Sequence, residues 1–148
     1  MIEYDRREKE QQPQGVAVMF LIIKDNKILL EERVEKGKSY FGLIIIPGGK
    51  FDNSLDKDPE QTVVRESKEE YGINVTKSVL LDTFEDTTPH NNHYLVHAYL
   101  VEDYEGEIQN MEPEKHNPVW IDLEEAKEVM LYGNSRYALL LAKQYLSR

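Results

Sequence analysis

One stretch of this chain leaves few options for what surrounds it. Pro47-Gly48-Gly49-Lys50 is followed by a short acidic loop and then by Asp58-Pro59-Glu60-Gln61-Thr62-Val63-Val64-Arg65-Glu66-Ser67-Lys68-Glu69-Glu70-Tyr71-Gly72-Ile73. The second part carries its own helix punctuation: Asp58 as N-cap, Pro59 at the first helical position, Gln61 completing a capping box and Gly72 just past the end. The pattern predicts a helix of about three to four turns. At about 100° per residue, Val63, Val64, Ser67 and Tyr71 share one side, and Glu66, Glu69 and Glu70 share another. The helix thus has an apolar back and a carboxylate front. Like charges four apart weaken an isolated helix by about 0.2 to 0.5 kcal/mol per pair, and at ~5 Å in partly buried surroundings the repulsion reaches ~3 kcal/mol. A cation is expected there.

Taken alone, such acids also describe a solvated helix face, with Lys68 and Arg65 nearby. The preceding loop weighs against that reading. Gly48 and Gly49 can adopt backbone angles closed to other residues, so a peptide oxygen or amide can approach a ligand with no side chain in the way. Clustered carboxylates and an exposed peptide oxygen make an all-oxygen site, which suits hard cations such as Mg²⁺ or Mn²⁺.

At these residues the chain resembles the Nudix hydrolase family, whose signature runs G-x5-E-x7-R-E-U-x-E-E-x-G-U, with U a bulky aliphatic residue. Arg65-Glu66-Ser67-Lys68-Glu69-Glu70-Tyr71-Gly72-Ile73 matches the second half except at Ser67, where an aliphatic residue is usual. The first half departs from the pattern. Gly49 and Arg65 are sixteen positions apart (65 − 49), two more than in the signature, and Lys57 stands where the loop glutamate is expected. Asp52, Asp56 and Asp58 are the acids available to replace it. The resemblance implies altered metal affinity rather than lost chemistry.

The composition sets the outer bounds. A chain of 148 residues is long enough for one core, and no cysteine is present, which excludes thiol catalysis and disulfide support. Lys plus Arg total 18 against 28 Asp plus Glu, a net charge of −10 and the wrong sign for gripping a long nucleic acid. The longest apolar run, Val16 to Ile23, is too short to span a bilayer, and the acidic N-terminus does not resemble a signal peptide. A soluble, cytoplasmic protein acting on a small nucleotide is expected, as a monomer or homodimer.

Residues 1–14 are polar and aperiodic and are expected to be a tail or edge extension, with 15–148 as a single domain. Gly15 to Ile23 and Ile28 to Val34 predict two strands joined by a tight turn at Lys24-Asp25-Asn26-Lys27, and Tyr40 to Ile46 predicts a third leading into Pro47. After the central helix, strands are expected at Val75 to Phe84, His93 to Val101 and Val119 to Asp122, with Glu85 to Asn92 as a polar turn. Leu123 to Leu131 has a helical pattern broken by Tyr132-Gly133, and Asn134 is placed to cap a last helix through Leu146. This order fits an α/β/α sandwich around a mixed β-sheet, and the Nudix fold is of that kind. His90, His93 and His97 have a spacing that tempts a metal reading, but a strand puts only 93 and 97 on one face.

The resemblance implies roles beyond the signature. The family hydrolyses nucleoside diphosphates linked to another moiety, by water attack at phosphorus assisted by divalent ions. Glu66 and Glu70 would be the principal metal ligands with the Gly49 carbonyl assisting, Glu69 a ligand or base, and Arg65 the residue that orients the carboxylates. A further ligand outside the signature falls on Glu112 when counted forward from His93, or on Glu114 when counted back from Trp120, and Glu112 is preferred. Arg33 and Lys50 match positions that bind substrate. The likeness is greatest to the MutT-like branch, which converts nucleoside triphosphates, oxidised purines included, to monophosphate and pyrophosphate. Asn134 matches an asparagine that reads the purine edge in that branch, although its position as an N-cap is a sufficient structural reason for it. Pro89, sixteen residues past Ile73 (89 − 73), is a spacing of the ADP-ribose-cleaving branch. Hydrolysis of ADP-ribose or a dinucleoside polyphosphate is the alternative activity, and a nucleotide-binding module without turnover is the non-enzymatic alternative.

Overall fold

A computed structural model of the chain describes residues 14–129 and 133–148. Eleven elements follow in order: β1 (Gly15–Leu21), β2 (Ile23–Lys24), β3 (Lys27–Arg33), β4 (Ile44–Ile45), β5 (Gly48–Lys50), α1 (Pro59–Tyr71), β6 (Asn74–Thr87), β7 (His93–Glu105), β8 (His116–Asp122), α2 (Leu123–Val129) and α3 (Ser135–Leu146). One sheet runs β5-β1-β7-β6, with β1 and β7 parallel and the other pairs antiparallel. In the other sheet β3 pairs with β8 along its whole length and with β2 and β4 along its opposite edge.

Strand alternation explains the three layers. Val18, Phe20, Leu29, Tyr99 and Val101 gather with Val63 and Tyr71 of α1 in one buried cluster. Their neighbours Leu21, Ile28, Leu30, Ala98 and Leu100 point the other way, to Leu123 and Ala126 of α2 and Ala138, Leu139 and Ala142 of α3. The sheet faces are therefore sandwiched between α1 on one side and α2 with α3 on the other, the mixed α/β/α arrangement expected from the sequence. No helix among the described residues is long and apolar enough to cross a membrane.

Several boundaries differ from expectation for identifiable reasons. Between residues 40 and 46 only Ile44–Ile45 is extended, because Gly42 takes a positive φ of 83° and the chain turns, with Leu43 N–H donating to the Tyr40 carbonyl. The β6–β7 hairpin is longer than expected: pairing runs from Asn74↔Glu105 to Thr87↔His93, so polar residues 85–87 are strand rather than turn. Asp25 and Asn26, both with positive φ, make the two-residue turn between β2 and β3. Of the expected tail only Gln14 is described, and it exchanges hydrogen bonds with His93: its N–H donates to the His93 carbonyl, and its side-chain oxygen accepts from the His93 N–H. The expected helix end at Leu131 and the break at Tyr132 lie outside the described residues.

Candidate active site

Helix α1 starts as its sequence directs. Asp58 accepts a hydrogen bond from the Gln61 N–H at 2.9 Å, Pro59 occupies the first turn, and Gly72 ends the helix at φ 71°. The apolar back seats Val63 and Tyr71 in the core. The carboxylate front is not uniform: the Glu69 side chain is 52% exposed and that of Glu66 16%, whereas Glu70 is buried.

Arg65 organises the outer end. Its Nε and Nη2 grip the two oxygens of Asp56 at 2.8 and 3.0 Å, Nη2 also donates to the Lys50 carbonyl at 3.0 Å, and Nη1 reaches Glu66 at 3.1 Å and Glu69 at 3.3 Å. These contacts occupy all of the donors a guanidinium has. Asp56 is itself buried and takes further hydrogen bonds from the Asp52 N–H and the Thr62 hydroxyl. The guanidinium holds its carboxyl at about 2, well below the usual range.

The glycine pair is needed for closeness rather than for unusual angles. Neither Gly48 nor Gly49 has a positive φ; both lie in β5, paired with Met19 and Val18. A Cβ on Gly48 would meet the Val18 carbonyl oxygen at 2.3 Å, and one on Gly49 would meet Glu66 Cδ at 2.3 Å. The backbone of β5 therefore lies directly against the Glu66 carboxylate. Burial raises the Glu66 carboxyl to about 7, with the charges of Glu69 and Glu112 adding to the effect and Arg65 opposing it.

The inner end is different in kind. Burial, followed by the charges of Glu31 and Glu66, pushes the Glu70 carboxyl far above the usual range. Its Oε2 is buried without a hydrogen-bond partner among the described residues. Beside it lies Glu31 of β3, fully buried, accepting from the Tyr71 hydroxyl at 2.7 Å and from Arg33 Nη1 at 2.7 Å. His116, opposite Arg33 across the β3–β8 ladder, places Nδ1 3.8 Å from Glu31.

A cleft of about 400 Å³ opens from the glycine strand. Arg33, Lys38, Lys50 and Lys115 contribute cations to its wall, while Asp86, Thr88, Asn92 and Ser135 line it with neutral or acidic polar groups. The donor set beside it fits a divalent ion: carboxylates at elevated proton affinity, an unpartnered carboxylate oxygen and a peptide strand kept free of side chains.

A profile of the NUDIX domain matches residues 13–143. The chain belongs to the NUDIX family. An 8-oxo-dGTP diphosphatase from Proteus vulgaris is 32% identical over 93 residues, covering 63% of this chain and 80% of that protein. Among solved structures, a MutT NUDIX hydrolase from Burkholderia pseudomallei superposes with a TM-score of 0.74 at 29% identity, covering 88% of this chain and 98% of that one. The NUDIX domain of Shewanella oneidensis NrtR, solved with ADP ribose, also reaches 0.74 at 21% identity, covering 97% and 94%; at that identity the likeness is one of fold. The chain is accordingly a MutT-like NUDIX pyrophosphohydrolase.

Of the three loop acids available where the signature has a glutamate, Asp56 is the one that meets Arg65. Lys57 is exposed and Asp58 caps the helix, so the two extra loop residues bring an aspartate, with its shorter side chain, onto Arg65. Of the two candidates outside the signature, Glu112 is the one whose charge acts on both Glu66 and Glu70, and it is held by Lys115 at 3.1 Å; Glu114 is exposed. Lys50 and Arg33 both line the cleft. Asn134 precedes α3 but makes no side-chain cap: its Nδ2 donates to the Glu85 carbonyl at 3.1 Å, while its neighbour Ser135 forms the cleft wall. The three histidines noted in the sequence do not converge. His93 pairs with Thr87, His97 with Thr83, and His90 lies in the turn between β6 and β7. Glu31 and His116 escaped the sequence reading. For Glu31 a signal existed, since Leu29, Glu31 and Arg33 alternate onto the face that α1 covers, which makes it a charge in a buried register.

Proposed function

We propose that the protein hydrolyses a pyrophosphate bond in nucleoside triphosphates, oxidised purine nucleotides among them, with Mg²⁺ or Mn²⁺, releasing monophosphate and pyrophosphate. The observation that carries this is the junction of two regions: Glu66 of α1 lies against Gly49, and Gly49 is also a wall of the cation-lined cleft. Glu66, Glu70 and the Gly49 carbonyl would hold the metal, with Glu112 and Glu69 as further ligands. The bound ion would neutralise phosphate oxygens and lower the pKa of the attacking water. Arg65 keeps Glu66 and Glu69 in fixed orientation through charge-assisted hydrogen bonds. Arg33 and Lys50 meet the phosphates from the cleft wall, and Glu69, the exposed acid, is the candidate base. Elsewhere on the wall Asp86, Thr88, Asn92 and Ser135 offer donors and acceptors to a base edge, with the Asn134 N–H donating to Asp86. The likeness to the Proteus vulgaris diphosphatase supports an oxidised purine as the base.

A panel of normal and oxidised nucleoside triphosphates, ADP-ribose and dinucleoside polyphosphates, each with Mg²⁺ and with Mn²⁺, tests this reading. Monophosphate and pyrophosphate from a triphosphate are expected. Preferential cleavage of ADP-ribose transfers the assignment to that class, and tight nucleotide binding with no product leaves a binding module.

A further inference from the structure

Behind the proposed catalytic face lies a group of side chains of which the hydrolytic reading uses only Glu70. Glu31, Glu70 and His116 are all buried, and each offers a ligand atom within 4.8 Å of the others'. Fully buried polar atoms are nearly always hydrogen-bonded. Here Nδ1 and Nε2 of His116 and Oε2 of Glu70 have no hydrogen-bond partner among the described residues, and the His116 side chain has no exposed surface. The imidazole lies beside the Tyr71 ring, with centroids 5.3 Å apart, and Arg33 faces it across the strand pair.

We propose that Glu31, Glu70 and His116 form a second, interior cation site that takes a divalent first-row transition-metal ion. Two carboxylates and an imidazole are the ligand set that zinc, manganese or cobalt accepts, whereas magnesium is served by oxygen alone. The charges favour a cation: among the described residues Glu31 and Glu70 share the guanidinium charge of Arg33, which hydrogen-bonds to Glu31. The two hydrogen bonds that Glu31 accepts, one on each oxygen, leave further lone-pair positions on both. They also fix the carboxylate as an outer partner fixes a ligand. Glu70 would then serve two neighbourhoods, the catalytic face through its place on the α1 front and the interior through the α1–β3–β8 junction. The site does not depend on which nucleotide is hydrolysed.

The decisive measurement uses the whole protein without nucleotide, stripped with chelator and reloaded with Zn²⁺ or Co²⁺ alone. Crystals are examined by anomalous scattering at the metal edge, and solutions by metal stoichiometry and X-ray absorption. The expected result is a peak about 2.1 Å from a His116 ring nitrogen, nitrogen in the coordination shell, and one bound equivalent fewer in His116→Gln than in the wild type. His116→Gln is expected to keep its Mg²⁺-dependent hydrolysis. Metal confined to the Glu66–Gly49 face, or equal stoichiometry in wild type and variant, overturns the proposal. Should the variant fail to fold, the wild-type anomalous map decides the question. Failure here leaves Mg²⁺-dependent turnover untouched, so the two readings fail separately.

Discussion

The two ends of the acidic face of α1 begin from the same residue type and reach opposite states. At the outer end Arg65 satisfies Asp56, Glu66 and Glu69 with its full set of donors. At the inner end Glu70 meets another buried acid, Glu31, whose hydrogen bond takes the Arg33 guanidinium, and has no donor to its own Oε2 among the described residues. The outer end is a finished network that holds geometry; the inner end carries an electrostatic deficit that a bound cation would fill. A lone buried carboxylate in such a place is expensive, and its elevated proton affinity is the measure of that cost.

Neutralising each end in turn gives the largest contrast. Glu70→Gln removes a proposed ligand from the preorganised site and is expected to lower kcat/KM about a thousandfold. Glu69→Gln, on the exposed end, removes the candidate base and is expected to lower it about a hundredfold. Steady-state kinetics at saturating Mg²⁺ measures both, and equal losses would dissolve the distinction between the ends.

Asp56→Asn attacks the finished network. It leaves Arg65 half-buried with its principal partner gone, and removing one member of a buried pair costs about 3 kcal/mol. An unfolding free energy lower by that amount in denaturant titration is expected, with a loss of activity of about ten- to a hundredfold as the acids lose their orientation. Lys57→Ala, one residue on but exposed, is expected to change stability by no more than about 0.5 kcal/mol.

Proton linkage distinguishes two acids of the outer end without mutation. Asp56 has a folded value near 2 against an ordinary 3.8, so its stabilisation is present above 3.8 and is lost as the pH falls toward 2. Glu66 has the reverse sign: with a folded value near 7 against 4.5, the folded state binds more protons over that interval, and stability falls as pH rises through it. Thermal melts of metal-free protein are expected to decline from about pH 4.5 to 7. Excess Mg²⁺ should flatten or invert that slope, because ions bind the deprotonated acids more tightly as pH rises.

These contrasts also mark what the sequence could reveal. The helix was legible to its caps because Asp58, Pro59 and Gly72 act locally, and the three layers followed from strand alternation. Asp56 was only one of three candidates, since choosing among them depends on how a nine-residue separation folds back to bring a carboxylate onto Arg65. The reason for Gly48 and Gly49 was hidden for a similar cause: the Gly48 clash arises where β5 pairs with a strand some thirty residues earlier, and the Gly49 clash where β5 meets Glu66 of α1. Glu31 and His116 belong to strands that meet through the β3–β8 ladder, so no local pattern announces that they share a site with Glu70.

The smallest expected effects concern the loop before β8, where two acids sit two positions apart. Glu112 acts electrostatically on both Glu66 and Glu70 and is held in place by Lys115 and by its own N–H, which donates to the Asn110 side-chain oxygen at 3.2 Å. Glu114 is exposed. Glu112→Gln takes one negative charge from the group facing the proposed ion and is expected to raise the Mg²⁺ concentration for half-maximal activity about tenfold. Glu114→Gln, which alters only a solvated charge, is expected to shift it less than about twofold. A metal titration of activity distinguishes them, and a larger shift for Glu114 would mean that the loop is held differently around the acids in solution, placing the fourth carboxylate two residues later.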